Sequence, residues 1–298
     1  MKQSTRIDSS RQVIKARSIG AQVGPMLAGS TRWRIAQVYR HCFYCLSDIG
    51  NVICIGDARI DRGPFTIICD DSAVTTVATF NKNRVIRSCH DAMLLDDWTV
   101  IDTARAVPWL AGFNTCAGPG AVPARVLSTL AETAASTAPQ QSFGALIPTL
   151  FTPEHRDQKA SATTTFLHRR LLQIVDSVHH EGAFNEPVRL AALLTPLIGL
   201  GYGLTPSGDD FCAGFVLSLV AGGKTEQAAR LAAELFQAAR SRTTAISLAF
   251  YRALAGSRLC ESQTRLLHCC AAQQKSDGDL VDALHDFQSR KRNFGGVR

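Results

Sequence analysis

Ala111-Gly-Phe-Asn-Thr-Cys-Ala-Gly-Pro-Gly-Ala-Val-Pro123 divides the chain into two unlike parts. Its glycines and prolines interrupt any regular element, and the apolar period changes across it. Upstream, from Trp33 to about Trp98, the period shortens toward two and β-formers dominate. Trp33–Cys45, Val52–Ile55, Phe65–Cys69, Ala73–Phe80 and Arg84–Ser88 read as strands. Asp48-Ile-Gly-Asn51, Gly56-Asp57, Arg62-Gly-Pro64 and Asn81-Lys-Asn83 read as the turns between them. Short strands at this spacing predict a small antiparallel sheet or barrel over residues 31–120. Residues 1–30 show little periodicity and read as a basic, poorly ordered arm.

Downstream, over 121–298, the pattern is helical. Ala124–Ala135 and Ala162–His179 are predicted helices, and Asn185-Glu-Pro187 opens another with a capping residue and an early proline. Pro206–Ala221 is apolar on most of its circumference and stops at Gly222-Gly223, which places it in the centre of a bundle. Thr225–Arg240, Thr243–Ala255, Ser262–Gln274 and Gly278–Ser289 complete the set. The fold class is therefore α+β: a β-rich domain, then a mainly helical one.

Composition narrows the function. In 298 residues, 46% are hydrophobic and 19% charged, the balance of a globular protein. No run of about twenty apolar residues suggests a membrane span, and the start of the chain has no signal-like apolar segment, so a cytoplasmic location is expected. The ten cysteines lie mostly inside apolar runs and read as small buried hydrophobes rather than disulfides or metal ligands. Cys42-Phe-Tyr-Cys45 has no second pair at a zinc spacing, and Cys269-Cys270 are helical neighbours that share no face. His179-His180 reads as a helix end that compensates the dipole. The net charge of +7 is concentrated in residues 1–40, where eight Lys/Arg face one acid, Asp8. That arm lacks the interleaved aromatics and the motifs of a nucleic-acid binder.

Chemistry is densest at Gly199-Leu-Gly-Tyr-Gly-Leu-Thr-Pro-Ser-Gly-Asp-Asp-Phe211. Gly199, Gly201 and Gly203 let the backbone bend sharply and approach a ligand. A helix then restarts. Either Thr205 is its N-cap with Pro206 in the first turn, or Ser207 caps with Asp210 closing a box. Backbone N–H groups at such a start, with Gly201, Gly203, Thr205, Ser207 and Gly208 around them, suit a phosphate or carboxylate. Asp209 and Asp210 repel an anion unless a cation or a proton intervenes. Mg²⁺ held by Asp209 and Asp210 would reconcile them, or one aspartate serves as general base while the other caps. Thr243-Thr244 offer hydroxyls at another helix start, with simple capping as the equal alternative.

The run Gly201–Gly214 resembles the signature of the AllH family. Thr243-Thr-Ala-Ile-Ser-Leu-Ala-Phe-Tyr-Arg-Ala-Leu-Ala-Gly256 looks like its second block, and Trp33–Asp70 is similar more loosely. The resemblance implies a subunit of oxamate carbamoyltransferase in allantoin breakdown, which turns oxalurate and phosphate into oxamate and carbamoyl phosphate. It also implies partner subunits, an acyl-CoA-synthetase-like protein among them, and a small anionic substrate. The polar groups of the loop, rather than the resemblance, make Asp209 and Asp210 the first candidates for catalysis, with Thr243 and Thr244 supporting the anion site. One departure stands out. Family members resemble one another in a last Gly-rich turn, where this chain has the polar, basic Leu284–Arg298. A non-catalytic assembly or regulatory subunit is the alternative.

Overall fold

The computed structural model describes residues 11–28, 31–70, 84–116, 120, 122–137, 143, 162–179, 182–271 and 277–292. The chain divides into two compact units at Leu110/Ala111, with Ala111–Ser289 forming the second. The expected strand Ala73–Phe80 lies outside the described residues, as does His180 of the expected histidine pair.

The first unit is a closed β-barrel. Its strands are β1 Gln12–Gly20, β2 Thr31–Val38, β3 Cys42–Ser47, β4 Val52–Gly56, β5 Thr66–Cys69, β6 Val85–Cys89, β7 Ala92–Leu94, β8 Thr99–Asp102 and β9 Val107–Trp109. Eight close in the order β5-β4-β3-β2-β6-β7-β8-β1, because β1 returns to pair with β5, and β9 attaches to β1. Closure removes the open edges that a small sheet would expose.

Four corrections to the sequence reading follow. The barrel is mixed rather than antiparallel, since β1–β8, β1–β9 and β4–β5 run parallel. The segment 57–65 is longer than a hairpin turn and carries the chain back before it enters β5 in the direction of β4. Trp33–Cys45 is two strands, turned at Tyr39-Arg40-His41 with Tyr39 N–H donating to the Cys42 carbonyl at 2.7 Å. Within the expected loose arm, Gln12–Gly20 is instead a barrel strand and Val23–Leu27 a short helix, α1.

Alternation fills the interior. Ile14, Ala16, Trp33, Ile35, Phe43, Cys45, Ile53, Ile55, Ile67, Cys69, Ile86, Met93 and Ile101 form the barrel core, joined by Val23 and Leu27 of α1. Trp33 satisfies its indole N–H on Ser88 Oγ at 3.0 Å. Cys42 and Cys45, three apart on β3, fall on opposite faces, so they neither bridge nor share a ligand. At the end of β4, Asp57 is fully buried. It accepts Arg59 N–H at 2.8 Å, Arg59 Nη2 at 2.7 Å and Nε at 3.1 Å, and lies 3.1 Å from His41 Nδ1. Burial pushes its carboxyl up, but the Arg59 hydrogen bonds outweigh that and hold it below the usual range.

The second unit is helical. It contains α2 Phe113–Cys116, α3 Ala124–Thr137, α4 Ala162–His179, α5 Pro187–Leu194, α6 Ser207–Ala221, α7 Thr225–Ala239, α8 Ala245–Ala255, α9 Glu261–Ala271 and, as far as Ser289, α10 Asp277–Arg292. Pro187 opens α5 as expected, after Glu186 rather than Asn185 as the N-cap residue. The apolar α6 packs against α2, α7, α8 and α9 and buries Cys212, Val216, Leu219 and Val220. Gly223, at φ +73°, ends it in the left-handed conformation that glycine adopts without strain. Among the described residues no helix is long and apolar enough to cross a membrane.

Candidate functional site

The 3-10 turn Thr195–Leu197 leads through residues 198–206 into α6. The alternating glycines of the sequence are an alternation of left-handed backbone: φ is +81° at Gly199, +116° at Gly201 and +100° at Gly203. Space adds a second demand at some positions. A Cβ would fall 2.1 Å from the Arg242 carbonyl oxygen at Gly199, 2.7 Å from Ser207 N at Gly201 and 1.9 Å from the Leu197 carbonyl oxygen at Gly208. At Gly203 nothing lies within 4 Å.

The base of this loop is pinned from three directions. Gly199 N–H donates to Asp209 Oδ1 at 2.9 Å, Gly208 N–H to the Leu200 carbonyl at 2.8 Å, and Thr244 Oγ1 to the Leu204 carbonyl at 2.5 Å. Its apex, Gly201-Tyr202-Gly203, stands in solvent, with Tyr202 95% exposed.

Asp209 sits at the centre of the pinning. The residue is only 3% exposed, and both carboxylate oxygens are fully engaged. Oδ1 accepts Gly199 N–H and the Tyr251 hydroxyl at 3.2 Å, while Oδ2 accepts the Thr243 hydroxyl and the Ser247 hydroxyl at 2.7 Å. Thr243, Ser247 and Tyr251 recur every four residues, so the start of α8 brings them to one face. These neutral dipoles replace water around a buried carboxylate. Burial, with Cys212 and Asp209 nearby, pushes the Tyr251 phenol far above its ordinary range, so it remains a donor. Burial likewise pushes the Cys212 thiol up to about 12, and its Sγ rests 3.7 Å from the Leu194 carbonyl.

The helix start differs from both capping readings. Pro206 is the N-cap residue, extended at φ −51° and ψ 144°, and no side chain caps α6. Neither Thr205 nor Ser207 does so, and the Ser207–Asp210 box does not form, because Ser207 is already helical and the Pro206 carbonyl takes the N–H groups of Asp209 at 2.9 Å and Asp210 at 3.2 Å. With Gly208 N–H also engaged, the free donors in the first turn of α6 contract to one: among the described residues Ser207 N–H has no acceptor. The missing side chain of Gly201 keeps that N–H uncovered. Thr244 does cap, accepting Ser247 N–H at 3.0 Å at the start of α8.

The structure thus joins the two polar blocks. Asp209, Thr243 and Thr244 act as ties, Gly208 as a close-packing position, and Gly201, Gly203, Thr205, Ser207 and Asp210 border the solvent side, the last three partly exposed. Mg²⁺ on Asp209 does not suit this donor set, since its lone pairs already face O–H and N–H hydrogens. Among the described residues no group of three or more His, Cys, Asp or Glu is placed to hold a metal ion. Ser247 and Tyr251 are the members the sequence reading missed. Their signal was there: polar side chains four and eight residues after Thr243 in an apolar helix.

Residues 197–289 match the model of the family described as oxamate carbamoyltransferase subunit AllH. The match covers under a third of the chain, contains both blocks tied at Asp209, and leaves the barrel outside it. No curated protein and no solved structure matches the chain.

Proposed function

We propose that this chain is a subunit of a carbamoyltransferase complex that converts oxalurate and phosphate into oxamate and carbamoyl phosphate, working beside other subunits that include an acyl-CoA-synthetase-like protein. The observation that carries the reading is the pinned loop of the matched segment. Asp209 fastens it to α8, Ser207 with its uncovered backbone N–H lies against Gly201, and Thr205 and Asp210 flank Ser207 in sequence with their side chains partly exposed.

The chemistry requires an anion held in place and charge stabilised at a carbonyl. A phosphate oxygen attacks the ureido carbonyl carbon of oxalurate. The bond from that carbon to the oxamate nitrogen then breaks, and the nitrogen keeps the electron pair and takes a proton. Ser207 N–H and the two hydroxyls hold the anion at the dipole-positive end of α6. Asp210 accepts hydrogen bonds from the carbamoyl nitrogen and orients it. Asp209, Thr243 and Thr244 hold these groups in position without touching the reacting atoms.

A second reading, a non-catalytic assembly subunit, is favoured by the saturation of Asp209, which leaves it no lone pair for a substrate. One experiment separates the two: carbamoyl phosphate formation from oxalurate and phosphate by this chain co-purified with its co-expressed subunits. Asp210→Asn is expected to lower turnover about 10- to 100-fold with assembly intact, the weight of one charge-assisted hydrogen bond of ~1.5–3 kcal/mol. Equal turnover with Asp210→Asn makes the chain a scaffold. Absence of turnover in the assembled wild type refutes the activity.

A further inference from the structure

The outer face of the barrel carries three arginines that no described carboxylate neutralises. Arg32 lies directly opposite Arg87 across β2 and β6, and Arg34 is two residues along β2 on the same face, opposite Val85. Directly paired positions on an antiparallel ladder place Cβ atoms about 4.5–5.5 Å apart, where like charges destabilise the pair. All three arginines are exposed, and among the described residues none of them makes an ion pair. Arg17, Arg59, Arg84 and Arg230, by contrast, each meet a carboxylate.

The arginines are interleaved with aliphatic surface. Val85 is 48% exposed, while Leu46 opposite Arg34 on β3 and Leu94 opposite Arg87 on β7 are partly exposed. Arginine is enriched at protein interfaces, and a partner can cover the aliphatic side chains beside it. A second copy of the chain in a two-fold contact centred on this face would bring arginine onto arginine. A single-stranded nucleic acid would need exposed aromatic platforms, and none of Arg32, Arg34, Leu46, Val85, Arg87 and Leu94 is aromatic.

We propose that the Arg32–Arg34–Arg87 face is a docking surface for an acidic protein partner, whose carboxylates pair with the guanidinium groups while apolar side chains cover Val85. Naming that partner as another subunit of the complex rests on the proposed function above; the docking surface itself does not.

The test compares the full chain, an Arg32→Gln/Arg34→Gln/Arg87→Gln variant and an Arg230→Gln control. Each is titrated with an alternating glutamate–leucine peptide, a DNA duplex, and phosphatidylserine–phosphatidylcholine vesicles at low and high salt. The wild type and the control are expected to bind the peptide alike and less tightly as salt rises. The triple variant should lose roughly tenfold, the sum of three modest surface pairs, while melting at the same or a higher temperature. Recovery of the complex from co-expression should fall in parallel. The proposal is overturned if the wild type does not bind the peptide or the triple variant keeps its affinity. It is equally overturned if duplex or vesicle binds more tightly through the same arginines. If the wild type assembles no complex, the subunit reading falls, while the peptide titration still decides the docking surface.

Discussion

Replacing Asp209 by alanine and by asparagine should give two clearly different losses. Alanine removes the acceptor for four donors: Gly199 N–H and the hydroxyls of Thr243, Ser247 and Tyr251. The Thr243 and Ser247 hydroxyls can rotate to other acceptors. The Gly199 N–H is fixed by backbone at φ +81°, and the Tyr251 hydroxyl is confined by packing. One part-buried backbone donor left stranded at about 1–3 kcal/mol, a phenol left with only the weak acceptor Cys212 Sγ, and a small cavity give about 3–4 kcal/mol for Asp209→Ala. Asparagine retains an oxygen for Gly199 and Tyr251, and its NH₂ donates to the two hydroxyl oxygens, so Asp209→Asn should cost about 1–2 kcal/mol. Urea unfolding of the full chain measures both. Far-UV circular dichroism follows the helices, while tryptophan fluorescence follows the barrel unit, which contains Trp33, Trp98 and Trp109. The shift belongs to the dichroism transition. Equal losses in the two variants would refute the account, because satisfaction of the donors would then not be what Asp209 provides.

Gly208→Ala places a methyl 1.9 Å from a backbone oxygen and should destabilise by more than about 3 kcal/mol, whereas Gly203→Ala meets open space and should cost only the ~1–2 kcal/mol of a left-handed residue; thermal melting distinguishes them. Cys89 is the one cysteine that is not buried, so a thiol reagent at mild alkaline pH should modify it first and reach the other nine only with denaturant, read by mass spectrometry. Asp57 is held below its ordinary range in the fold, so its stabilisation is present above the unfolded carboxyl value of about 3.9 and disappears as pH falls through the lower folded value. Acid unfolding followed by fluorescence should therefore flatten below about pH 4 in Asp57→Asn.

Much of the helical unit was legible because its signals are local. Ala162–His179 needs only a 3.6-residue period, and the stop at Gly222-Gly223 needs only glycine. The barrel was legible as strands but not as a closure, since nothing in Gln12–Gly20 announces that its partners are β5, β8 and β9. The turn at Tyr39-Arg40-His41 was hidden for another reason: it has no glycine or proline, and apolar residues continue on both sides. At the candidate site, the density of polar groups around residue 209 marked the place. The roles within it depend on donors that lie 34 to 42 residues further along the chain, a distance no local pattern conveys. The capping readings failed where a carbonyl, that of Pro206, outcompeted two plausible side chains.

The placement of β1 has a consequence for how the protein is made. One edge of β1 is divided between β8 and β9 and the other meets β5, so the strand must wait for residues 66–109 before it has any ladder to join. During synthesis it emerges well ahead of all three partners, an apolar, basic ribbon with both edges open. Hairpins such as β2–β3–β4 form from neighbours and need no such delay. Barrel closure is then the late, slow event of the first unit, and the interval before it is when the nascent chain is most open to mispairing.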